Sequence, residues 1–210
     1  MKKPATAAGG GGIWPLYEAF YIHGMLFCTA SAIRSISLLN KNLQKLFEDE
    51  LEPSGIAARQ RMVLDSLQII LNQGAALSRF FWPSRTDSDG VHAARAARLR
   101  SASGILDDDS NPLRNRELRN ALEHFDEKLD LYLQGHIVGN VIPEYVGPSV
   151  EPGGVPTHVF RAFYADIGVF EMLGKRYEVQ PIVDEIYRIH EWLVKCEDSG
   201  SRFVPPEASA

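Results

Sequence analysis

Arg119, Asn120 and His124 fall within six consecutive residues, Arg119-Asn120-Ala121-Leu122-Glu123-His124. On a helix turning about 100° per residue, Asn120 and His124 share a face, and Arg119 sits one step round with a side chain long enough to reach over it. A guanidinium can grip a phosphate through two parallel hydrogen bonds. An imidazole titrates near neutral pH and can move protons. With an amide beside them, these groups suit chemistry on a phosphodiester without a metal ion. The same residues admit a second reading. Arg119 and Glu123 then form an i,i+4 ion pair on a solvated face, of a kind that is common and weak, and His124 caps the core stripe.

Other residues with chemical potential surround this stretch. Arg95, Arg98, Arg100, Arg114 and Arg116 cluster in the same part of the chain. Arg114 and Arg116 are the candidates for contact with a phosphate backbone, against the reading in which Asp107, Asp108, Asp109 and Glu117 neutralise this basic group. Towards the C-terminus stand His158, Asp166, Asp184, Glu185, His190 and Glu191. His190-Glu191 lacks the second histidine of a zinc-binding HExxH helix, since Val194 and Lys195 follow. No metal and no cofactor are expected. Gly9 to Gly12 have no Lys-Ser or Lys-Thr after them and form no phosphate loop. Cys28 and Cys196, far apart and outside any Cys/His cluster, read as two buried thiols.

Composition bounds the partners. A net charge of -5 lacks the broad cationic excess of proteins that hold long nucleic acid, so any nucleic-acid contact must be local or brief. After Met-Lys-Lys comes a glycine-rich run where a secretory leader would carry apolar residues. The apolar stretch from Ile13 to Ala32 is interrupted by Glu18, His23 and Gly24. The expectation is a cytoplasmic protein with no membrane contact.

The elements that must position these groups are mainly helical. Apolar spacing predicts helices from Leu16 to about Glu50, from Ile56 to Phe81 and from about Asp89 to Ala102, the last capped by Asp87, Ser88 or Asp89. Asn111-Pro112 opens a fourth helix, and Leu118, Leu122, Phe125, Leu129 and Leu133 give it a core stripe ending near Gly135. Residues 138 to 156, rich in Gly and Pro, read as irregular. Strands are expected over Val159 to Tyr164 and Val169 to Leu173, with a short third over Tyr177 to Val179. Aromatic residues on these strands, including Phe160, Phe163, Tyr164, Phe170 and Tyr177, are assigned to the core rather than to a stacking surface. A last helix runs from Pro181 to about Lys195. The expected fold is therefore mainly α. It is a helical bundle of about four to five helices with a small C-terminal antiparallel β-hairpin or meander at about 157–179. The domain spans 14–197, between flexible tails at 1–13 and 198–210.

Arg119-Asn120-x-x-x-His124 resembles the R-polar-x3-to-5-H signature of the HEPN superfamily, and the helical context over roughly residues 14 to 135 resembles its small all-helical bundle. The resemblance implies a metal-independent endoribonuclease, a homodimer with a composite site, and a toxin or defence setting with an antitoxin or other protein partner. It further implies His124 as acid or base on a ribose 2′-hydroxyl or leaving oxygen. Arg119 would stabilise charge on the phosphate, Asn120 would orient one of them, and the product would carry a 2′,3′-cyclic phosphate. Asp126 stands where some toxin members carry a tyrosine that their antitoxins modify. Some members keep the fold without catalysis, so a non-catalytic interaction module is the alternative.

Overall fold

The computed structural model describes residues 13–48, 52–84, 90–135, 137–149 and 153–205, with all side chains among them except those of Glu48, Leu118 and Arg119. The caps expected at Asp87, Ser88 and Asp89, residues 1–12 of the first expected tail and 206–210 of the second lie outside the described residues. After a single 3-10 turn at Pro15–Tyr17, α1 spans Glu18–Glu48, α2 Pro53–Phe81 and α3 Val91–Ser103. Then come α4 (Glu117–Glu123), α5 (Phe125–Gln134) and, after the strands, α6 (Gln180–Asp198). The chain is mainly helical, with a four-stranded sheet towards its C-terminus.

The three longest helices share one core. Ile22, Met25 and Ala32 of α1 meet Val63, Leu67 and Phe81 of α2 and Ile186, Ile189 and Leu193 of α6, all essentially inaccessible to water. The α1 segment is long and apolar enough to cross a membrane by length and composition, and its inner side is a wall of this core. Thr29 ties α1 to α6. Its hydroxyl donates to the Leu26 carbonyl, so its oxygen can only accept from His190 Nδ1, 2.9 Å away. Both cysteines are free and buried, and burial pushes their thiols up.

The segment opened by Asn111-Pro112 is not one helix. The Asn111 side-chain oxygen accepts the Leu113 amide, the Asn115 side-chain oxygen accepts the Glu117 amide, and these local bonds hold turns until α4 begins at Glu117. The helix then breaks at His124, where φ is -118° and ψ 38°. The break lets Leu122 pack beside Leu71 and Gly74 of α2 while Phe125 lies under Arg161, whose guanidinium carbon is 4.3 Å from the ring centre. Beyond it the expected core stripe is only partly buried: Leu129 is half-buried and Leu133 exposed.

Residues expected to be irregular contain β1 (Asn140–Gly147), which pairs in parallel with β2 (Thr157–Tyr164). β2 pairs antiparallel with β3 (Val169–Met172), and β3 with β4 (Lys175–Glu178). The sheet is therefore mixed, in the order β1-β2-β3-β4, rather than an antiparallel hairpin. Pro143 argues against a strand in the sequence, but β1 lies at a sheet edge, where a missing N–H is tolerated. Leu173 (φ 50°) and Gly174 (φ 78°) make the tight β3–β4 turn. Phe163, Tyr164 and Phe170 are buried, as core aromatics, whereas Phe160 and Tyr177 are half-buried.

Gly139 enters β1 at φ 128°, and a Cβ there would stand 2.1 Å from the Pro156 carbonyl oxygen, which accepts the Asn140 amide. Gly139→Ala should destabilise the fold by about 1–3 kcal/mol by straining the start of the parallel pair. Denaturant unfolding checks this, and an unchanged midpoint would show that β1 does not depend on this approach.

Residues 199 to 204, read as tail from the sequence, fold back along α6. Phe203 stacks on Trp192 at 5.8 Å, and Trp192 donates to the Val204 carbonyl.

Candidate functional site

The motif occupies α4 and the break that ends it. Asn120 and His124 are one turn apart, joined by a His124 amide to Asn120 carbonyl bond of 3.1 Å, and both side chains are exposed. The Arg119 side chain lies outside those described. The His124 imidazole is 55% exposed, and its Nδ1 is 3.5 Å from Glu127 on α5. Glu123 is drawn the other way, into an ion pair with Arg79 of α2. His124 is thus neither buried under the sheet nor paired with Glu123, and its imidazole does little to hold the fold together.

Arg114 and Arg116 have work inside the molecule. Arg114 stands 3.3 Å from both Asp107 and Asp109, and Asp107 also receives Arg100 at 2.7 Å. Arg116 donates to the carbonyls of Trp82 and Pro83, fastening the end of α2. Arg95 donates to the Arg79 carbonyl, and Arg98 reaches buried Glu18. The basic residues of this part of the sequence are therefore largely spent on acidic partners and helix ends.

The C-terminal titratable groups are dispersed. His190 bonds Thr29, Asp166 accepts the Ser149 amide and hydroxyl, and Asp184 accepts from Gln180. Buried Glu185 is held by both arms of Arg188 and by Asn111. Among the described residues no group of three or more His, Cys, Asp or Glu side chains is placed to hold a metal ion.

One pairing near the motif has no sequence signal. His158 Nε2 donates to the Val138 carbonyl, so its Nδ1 accepts from the Tyr132 hydroxyl at 2.8 Å. Tyr132 also packs edge-on against Phe160. These contacts fasten α5 to β2 across 26 positions of sequence, a separation that no local pattern betrays.

No protein-family model, curated protein or solved structure matches this chain.

Proposed function

We propose that the protein is a cytoplasmic, metal-independent endoribonuclease of the HEPN type, acting as a homodimer whose two motifs face one RNA strand. The observation that carries the reading is the exposed His124 imidazole at a helix break, where the fold leaves it little structural work. His124 takes the proton of a ribose 2′-hydroxyl. The 2′-oxygen attacks phosphorus, the bond to the 5′-oxygen breaks, and that leaving oxygen recovers a proton. Glu127 at Nδ1 leaves Nε2 for the transfer. Arg119 stabilises charge on the phosphate, and Asn120 orients the reacting groups. Arg114 and Arg116 would meet RNA only by exchanging their present partners. A toxin or defence role, with an antitoxin or other protein partner, follows from the resemblance alone.

The test is cleavage of end-labelled RNA in EDTA. The expected products end in a phosphate that phosphatase removes only after acid opens the ring. Mixing Arg119→Ala chains with His124→Ala chains should restore part of the cleavage that each has lost, since a composite site then receives one intact residue from each. No cleavage at any protein concentration would favour the second reading, a non-catalytic interaction module. One observation favours that module: Leu16 of the 3-10 turn and Phe20 and Phe27 in the first three turns of α1 are 69%, 74% and 70% exposed, in one stretch with exposed Trp14 and Tyr17.

A further inference from the structure

The turn between β3 and β4 faces α5 across a hollow of about 280 Å³. Leu131, Tyr132, Leu173 and Tyr177 form an apolar and aromatic wall, and Lys128 and Lys175 bring two ammonium groups to it. Ala121, inside the Arg119–His124 stretch, also lines it. The sequence holds these residues in separate segments. Only the pairing of β3 with β4 and the docking of α5 on β2 bring them together.

The charges are unevenly matched. Lys175 donates to Glu117 at 2.6 Å, whereas the Lys128 side chain makes no hydrogen bond or ion pair among the described residues. The Lys175 hydrogen bond and charge hold the Glu117 carboxyl below its usual range, with a smaller contribution from Lys128. No carboxylate among the described residues lies within ion-pair distance of the Lys128 ammonium group, which leaves it to an anion. The wall has its own unmet group: the Tyr177 hydroxyl is buried without a hydrogen-bond partner among the described residues. That hydroxyl is closed off from solvent, so what Tyr177 offers a ligand in the hollow is its ring. Leu131 is 68% exposed at the same wall, an apolar surface suited to a flat ring. In the larger hollow beside α6, about 860 Å³, Glu185, Arg188 and Asn111 satisfy one another.

We propose that the hollow between α5 and the β3–β4 turn is a nucleotide subsite, in which Lys128 takes a phosphate and a base lies against Leu131, Tyr132, Leu173 and Tyr177. Stacking on aromatic faces tolerates any base, and a lysine beside it reads charge rather than sequence, so the subsite is not base-specific. Lys128 stands one turn along α5 from His124, so a strand threading the subsite passes the motif. That last step rests on the nuclease reading; the binding of a nucleotide does not.

The test is calorimetric titration of the full chain with adenosine 5′-monophosphate, adenosine and inorganic phosphate separately. The nucleotide should bind more tightly than either part. Lys128→Met, which keeps an apolar stem, should weaken nucleotide binding roughly tenfold and leave adenosine unchanged. Tyr177→Phe, which keeps the ring, should leave nucleotide binding unchanged and thermal stability equal or higher, because it removes a buried, unpartnered hydroxyl. Nucleotide affinity unchanged in Lys128→Met, or phosphate alone binding as tightly as the nucleotide, overturns the proposal. RNA cleavage by wild type and His124→Ala is measured alongside. Nucleotide binding that depends on Lys128 in a chain that never cuts RNA supports the subsite and sinks the nuclease reading. His124-dependent cutting with affinity indifferent to Lys128 does the reverse.

Discussion

His124→Ala is expected to slow RNA cleavage by about 10²–10⁴-fold, the usual contribution of a positioned general acid or base, while leaving the melting temperature unchanged. The two effects separate because of where the imidazole sits. It is 55% exposed, its contact with Glu127 joins two solvated side chains, and such contacts contribute little to stability. The backbone bonds of His124, to the Asn120 carbonyl and from the Lys128 amide, survive the substitution. A lowered rate at an unchanged melting temperature therefore reports chemistry. If the variant cuts RNA as fast as wild type, His124 is not the acid or base. If it melts well below wild type, the helix break depends on the ring and the rate loss says nothing about catalysis.

Glu18→Ala carries the largest expected cost to folding, about 2–4 kcal/mol. The Glu18 side chain is 3% exposed at the start of α1, where it accepts Arg202 at 2.9 Å and the Phe203 amide at 3.0 Å, with Arg98 at 3.5 Å. Alanine removes the acceptor for a part-buried amide and releases the returning C-terminal segment from α1. The two arginines are about half exposed and recover water, so the cost falls short of stranding a fully buried charge. Glu18→Gln keeps one acceptor oxygen and should cost less.

The pH dependence of this cost follows from the direction of the Glu18 shift. Burial opposes ionisation of the carboxyl, but the Phe203 amide and the two arginines outweigh it and hold the pKa below the usual glutamate value. The unfolded chain then binds the proton more readily than the folded one. The stabilisation is complete above the ordinary glutamate pKa and is lost as pH falls through the folded value. Urea unfolding of wild type and Glu18→Ala should thus differ most near neutrality and converge in acid. A gap constant with pH would mean that the carboxylate charge contributes nothing.

Repeating local patterns made much of the fold legible in the sequence. The apolar spacing of Leu67, Ile70, Leu71 and Phe81 places α2, and that of Ile182, Ile186, Ile189 and Leu193 places α6, because a helix must turn one side to a core whatever it packs against. Strands β2 and β3 and the turn at Gly174 were legible for the same local reasons. The type and order of Arg119, Asn120 and His124 were likewise open to inspection, as was their place on a helical segment. What the sequence could not show depends on partners far along the chain. Pro143 spoke against β1 until β2 offered its free edge. The leucine stripe from Leu118 to Leu133 implied one straight helix, yet the bonds of Asn111 and Asn115 delay its start to Glu117, and it breaks at His124, next to the contact of Phe125 with Arg161. Whether Arg114 and Arg116 face solvent or hold the fold together depended on Asp107, Asp109 and the end of α2. Residue type and spacing determine local conformation, because periodicity acts over a few residues. Tertiary structure decides which charges are spent on folding and which remain for chemistry, because a charge takes whatever partner the packed chain brings within a few ångströms.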